Sequence, residues 1–241
     1  MNNEILKDAK RNYALGKVEL ALMQVESILE SDGENIDAMA LLGALYASKN
    51  KLPESQSILE KASSPVSFAP LVLSAMPSYQ ETHTDGSNTF IYSRFLTPWL
   101  FNFDGWAIFA DGDMICRDDI AKLWSLRDES KAVQCVKHDY KTKAQDKYLG
   151  NKNQDYPRKN WSSLVLWNCG HPANKLLQPE FVMKQTGAFL HRFSWLDDDL
   201  IGELPKEWNW LTTEYPDNFG AHLLHYTLGT PCFKDYQSSD M

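Results

Sequence analysis

The stretch GWAIFADGDMICRDD, residues 105–119, decides how the chain is read. Trp106 to Ala110 are apolar without alternation, and then two carboxylates, Asp111 and Asp113, stand on either side of Gly112. An unbroken apolar run suits a central strand covered on both faces, while Asp-Gly is also the strongest short hairpin signal. The segment is therefore either a tight turn between strands or a strand end at which two acids grip a cation. Carboxylates this close repel unless a positive charge lies between them. A hard divalent ion that shares the oxygens of a diphosphate would supply that charge. An EF-hand is excluded, because Ile115 stands where a third oxygen ligand is required. In open α/β sheets, sites form at the carboxyl ends of strands, where these two acids fall. Beyond them the chain resumes as a strand stub and then a helix, with Asp118 in the N-cap position.

The remainder of the composition narrows the function. The chain has 241 residues, 43% of them hydrophobic, which is room for one large domain or a medium domain and a small one. A formal charge of -8 argues against a nucleic-acid partner, since no basic excess exists to displace counterions. A nucleotide held through a metal ion remains compatible with it. The start, MNNEILKDAK, carries no apolar signal stretch, and runs such as FAPLVLSAM fall well short of the roughly 20 residues a membrane helix needs. No transmembrane segment and a cytoplasmic location are expected. Cys116, Cys135, Cys169 and Cys232 are scattered without a CxxC pair, which argues against a zinc site or a disulfide scaffold.

Two regions differ in periodicity. Residues 1–63 read as helices, with apolar positions at Ile5, Ala9, Ala21, Val25 and Ile28, then Met39, Leu42, Tyr46, Leu59 and Ala62. Breaks fall at 15–17, 31–35 and 49–53, giving four short antiparallel helices. Shifting the chain by 34 residues aligns Lys17 with Lys51 and Val25 with Leu59, the tetratricopeptide period. Two such repeats are fewer than the ~3 that stand alone, so they should pack on the rest of the chain or on a protein partner. From residue 64 short apolar runs (71–76, 106–111, 132–138, 163–169, 222–228) alternate with helical patterns near 88–100, 118–126, 179–186 and 188–193. That is an α/β pattern with a mixed sheet, residues 64–241.

At this point residues 88–235 resemble retaining glycosyltransferases of family 8, which have the glycosyltransferase A-type fold and carry a DXD motif. YSRFLTPWL (92–100) is similar to the helix before the metal strand and implies that Arg94 faces the nucleotide sugar. KNWSSLVLWNCGH (159–171) implies Asn168, with Asn160 as the second candidate, at the sugar or acceptor. WLDDDLIGELPKEWNW (195–210) resembles the family's acidic helix start and implies Asp197 and Asp198 near the reacting sugar. HYTLGTPCF (225–233) implies His225 as third metal ligand and Gly229 near the diphosphate. Trp208 and Trp210 read as packing residues.

The resemblance implies a metal-dependent transfer of a hexose from a nucleotide-diphosphate sugar, a UDP-sugar foremost, to a glycan or lipid-linked acceptor, with retention of configuration. Asp111, Asp113 and His225 would hold Mn²⁺ or Mg²⁺, and nitrogen ligation favours Mn²⁺. Three features depart from the family. Between Ser64 and Arg94 there is room for only one strand and one helix, so the nucleotide-binding half reads as shortened. GTPCF lacks the signature Lys, and the chain stops soon after it. The alternative is a catalytically impaired binding or adaptor protein whose helical repeats recognise a partner.

Overall fold

The computed structural model describes residues 2–14, 17–32, 35, 38, 41, 45, 62–73, 76, 78–84, 91–143 and 155–227. Among the described residues the N-terminal part has the helices α1 (Asn2–Ala14) and α2 (Val18–Ser31), and the helical residues Ala38, Leu41 and Leu45 are buried in the same cluster. Asn2 Nδ2 donates to Ser31 Oγ (3.1 Å) and Asn12 Nδ2 to Gln24 Oε1 (2.8 Å), so the two helices run antiparallel. Ala9, Ala21, Val25 and Ile28 are fully buried, on the three- and four-residue spacing of an amphipathic stripe. The expected second repeat, from Met39 onward, lies mostly outside the described residues. Leu29 packs against both this cluster and the main core, so α2 docks on the α/β part. The proline-bearing segment after residue 62 follows the same surface: Ser63 N donates to Asp119 Oδ1 (3.2 Å), and Val66 packs on a core cluster.

The α/β part has seven strands among the described residues: β1 (Trp106–Ala110), β2 (Met114–Cys116), β3 (Val133–Cys135), β4 (Leu164–Asn168), β5 (Ile201–Glu203), β6 (Trp210–Leu211) and β7 (Leu223–His225). They form two mixed sheets, ordered β1-β4-β3-β5 and β2-β7-β6. β4 is antiparallel to both β1 and β3, and β5 is parallel to β3. Hence β1, β3 and β5 all point towards one edge, where Asp111 emerges.

Two expectations change here. β4 lies inside its sheet and is buried along its whole length. β1, as apolar in sequence, is an edge strand among the described residues and is half-buried at most positions. The run at 71–76 is no strand where it is described; Met76 N closes a turn onto Leu73 O (3.0 Å).

Among the described residues four short helices cover the sheets: α3 (Thr97–Leu100), entered through a 3-10 turn at Ile91–Leu96, α4 (Ile120–Trp124), α5 (Pro179–Lys184) and α6 (Gly187–His191). Asp119 rather than Asp118 caps α4, accepting from Ala121 N (2.9 Å); Asp118 pairs instead with Lys122 and His222. Trp167 of β4 is fully buried, stacked on Trp195 at 6.4 Å and edge-on to Phe193. Gly187 opens α6 because of a close approach: a Cβ there would stand 2.2 Å from Tyr92 Oη. We expect Gly187→Ala to cost about 1–3 kcal/mol in urea unfolding. An unchanged midpoint would mean that the Tyr92 ring swings aside freely.

Candidate metal centre

Asp111 follows the last residue of β1, and its N–H donates to Ser163 O (2.9 Å) just before β4. Asp113 immediately precedes β2, and its carbonyl accepts from Tyr226 N (2.9 Å) immediately after β7. His225, the last residue of β7, pairs with Met114. The DGD turn therefore steps from one sheet to the other, and its two carboxylates meet the imidazole at that step. One ligand atom from each of the three residues lies within 4.8 Å of the other two. His225 Nε2 is 3.3 Å from Asp113 Oδ1, near enough for charge attraction but not aligned as a hydrogen bond. Asp113 Oδ1 is consequently a buried oxygen with no hydrogen-bond partner. Such an atom is costly unless something neutralises it, and a hard cation would.

Arg94 differs from the expectation. Nη2 and Nη1 pair with the two oxygens of Asp111 at 2.7 and 3.2 Å. Nη1 also donates to Ser162 O (2.9 Å), and Nε donates to Ile91 O (2.7 Å). Four of its five N–H groups are thus spent inside the protein. The guanidinium is the counter-ion of Asp111 rather than a group held out to a ligand. A carboxylate has about four lone-pair sites, so Asp111 keeps acceptor capacity for a metal as well. Burial pushes the Asp111 carboxyl upward, Arg94 opposes this, and Asp113 adds to it. Burial acts upward on Asp113 too, but the charge and contact of His225 outweigh it and hold that carboxyl below its usual range.

The other expected residues lie elsewhere. Asn168 ends β4 at the opposite strand edge, opposite Trp106, and its amide donates to Lys131 O (3.1 Å). It ties a loop down. Asp197 and Asp198 precede β5, hence the strand ends that point away from Asp111; both are exposed. Asp198 pairs with Arg158, and Asp197 offers only its backbone carbonyl to Leu200 N (3.0 Å). Strand direction separates these acids from the cluster, and short strands flanked by acids do not disclose their direction in the sequence. Gly229 lies outside the described residues.

The sequence reading missed the residues behind the ligands. Asn209 Oδ1 lies 2.9 Å from His225 Nδ1, and Asn209 Nδ2 donates to Ser163 Oγ (2.8 Å). No spacing signal marks either. Beyond β3, His138 is buried with Nδ1 2.8 Å from Tyr215 Oη. Burial, then the charges of His225 and Lys206, pushes the His138 imidazole down to about 3. An unfolded histidine titrates near 6.5. Below that pH the unfolded chain takes up a proton that the folded chain refuses. Stability should therefore be flat above pH ~6.5 and fall below it by up to about 1.4 kcal/mol per pH unit from this group. Urea midpoints from pH 7.5 to 4.5 should fall more steeply in the wild type than in His138→Asn. Equal slopes would remove His138 as the cause.

The family model described as Glycosyl transferase family 8 matches residues 5–171. Protein CDI of Arabidopsis thaliana is 44% identical over 197 residues, covering 77% of this chain and 76% of that protein. A structure titled WbbM bifunctional glycosytransferase, apo form, is 16% identical with a TM-score of 0.41, over 61% of this chain. The matched part is 33% of that structure's length. No helix among the described residues is long and apolar enough to cross a membrane.

Proposed function

The chain belongs to glycosyl transferase family 8, and from that premise we propose that it moves a hexose from a nucleotide-diphosphate sugar to a hydroxyl of a glycan or lipid-linked acceptor, with a divalent ion held by Asp111, Asp113 and His225. The observation that carries this is the meeting of those three side chains around a buried, unpartnered carboxylate oxygen. We read the architecture as glycosyltransferase A-type, with a boundary between the helical region and the transferase part at 63/64. Mn²⁺ suits the mixed oxygen and nitrogen donor set best.

When bound, the ion supplies positive charge to a diphosphate leaving group, whose charge grows as the glycosidic bond breaks. The protein's own groups prepare the place. Arg94 holds both Asp111 oxygens, so that carboxylate does not need to reorganise. Asn209 holds the imidazole of His225 by its far nitrogen. The sugar-stabilising role goes to neither Asp197 nor Asp198, for the reason of strand direction given above. Retention of configuration follows only from the family analogy.

The test is to incubate the protein with UDP-glucose, UDP-galactose, UDP-N-acetylglucosamine and GDP-mannose, with Mn²⁺ or with EDTA, and to measure release of the nucleotide diphosphate with and without sugar acceptors. The proposal expects Mn²⁺-dependent release from at least one donor. Nucleotide-sugar binding without any release would favour the adaptor alternative.

A further inference from the structure

We propose that Ser163 is a positioning residue that sets which nitrogen of His225 is free to bind a metal. The inference rests on the metal-centre reading above, but its first test does not. It follows from hydrogen-bond polarity along a short buried chain. Ser163 Oγ donates its single proton to Asn160 O (2.7 Å), a carbonyl that can only accept. With that proton committed, the hydroxyl can only accept from Asn209 Nδ2 (2.8 Å). The side-chain amide of Asn209 is thereby fixed in orientation, because flipping it would set two acceptors against each other. Its oxygen then faces His225 Nδ1 (2.9 Å), which must carry the proton. Nε2, the nitrogen towards Asp113, is then the one available to a metal.

The direction of the whole chain is set by one backbone carbonyl. Asn160 presents it from a left-handed turn, with φ of 62° at Asn160 and 60° at Arg158. Asparagine tolerates that region better than most residues. Asn209 is fully buried and Ser163 nearly so, so water does not substitute for either partner. The same segment also receives Asp111 N at Ser163 O and Arg94 at Ser162 O. One turn thus orients ligands that arrive from two different sheets. Serine has no place among metal ligands here; it acts through Asn209, as outer-shell partners do.

The first test needs no metal. In ¹⁵N-labelled full-length protein, long-range ¹H–¹⁵N spectra at pH 7.5 should report His225 protonated on Nδ1. Ser163→Ala, and the size-matched Ser163→Cys, should convert it to a mixture, while Ser163→Thr should retain the wild-type tautomer. A wild-type His225 protonated on Nε2 would overturn the proposal. The second test is Mn²⁺ titration. Ser163→Ala should weaken binding by about 10-fold, and the loss should vanish in an Asn209→Ala background, since the two act in series. Losses that add in the double variant, or wild-type affinity in Ser163→Ala and Ser163→Cys, would equally overturn it. Wild-type protein that binds no Mn²⁺ would instead strike at the metal centre, leaving the tautomer result to decide the role of Ser163.

Discussion

Asp113→Asn should weaken Mn²⁺ binding by roughly 1,000-fold, beyond the ~10–100-fold typical of outer-shell partners, and should abolish metal-dependent release of nucleotide diphosphate. The reason is local. Asp113 Oδ1 is the one oxygen of the cluster that is buried without a hydrogen bond. The other two ligands are already held in place: Arg94 grips Asp111, and Asn209 holds the far nitrogen of His225. An amide at 113 is neutral, and its oxygen is a poorer ligand for a hard cation. The variant should still unfold cooperatively, because its backbone carbonyl keeps the contact with Tyr226 N (2.9 Å). Isothermal titration with Mn²⁺ reads the first effect and urea unfolding the second. Near-normal Mn²⁺ affinity in a folded Asp113→Asn protein would mean that the ion, if any, binds elsewhere.

Arg94→Met carries the next largest effect, and it falls on stability. Methionine keeps much of the aliphatic stem but leaves the Asp111 carboxylate, 22% exposed, without its counter-charge. Breaking a buried pair from one side costs about 3–5 kcal/mol, and the residual exposure of Asp111 puts the cost near the lower figure. That corresponds to a Tm lowered by about 6–12 °C for a chain of this size. The pH dependence has a definite sign. Burial already raises the Asp111 carboxyl, and losing Arg94 raises it further. A group whose folded pKa lies above its unfolded value favours folding at low pH and opposes it as pH rises. The deficit of Arg94→Met should therefore be largest at neutral pH and shrink towards the ordinary carboxylate range near pH 4. Saturating Mn²⁺ should recover part of it, by binding the folded state alone. An equal deficit at pH 4.5 and 7.5 would assign the loss to the bonds with Ile91 and Ser162 instead of to charge.

How much of this was legible beforehand differs from residue to residue. The strand Trp106–Ala110 and the acids at its end could be read directly, since an apolar run that stops at two carboxylates is a local pattern. The helix pair α1 and α2 was equally plain from its spacing. His225 came only through family resemblance, because its approach to Asp113 depends on β2 pairing with β7 across more than 100 residues. The small sheet was legible only in pieces: the stub after Asp113 and the run at 222–228 could be read, but β6 has two residues and leaves no period, and the pairing of the three joins distant stretches. Asn168, Asp197 and Asp198 likewise come only through the family resemblance, and the sheet order puts them at the strand ends away from Asp111. Arg94 was found at the site but with its charge turned inward, which depends on where the Ser162 carbonyl lies. Ser163 and Asn209 carry common side chains in unremarkable positions, and only hydrogen-bond polarity reveals what they do.

The most direct measurement on the central claim is pulsed electron paramagnetic resonance of the full-length chain titrated with Mn²⁺. The account predicts one bound ion per chain with the hyperfine coupling of a directly coordinated imidazole nitrogen, and loss of that coupling in His225→Gln. No bound ion, or an ion coordinated by oxygen alone in the wild type, would contradict it.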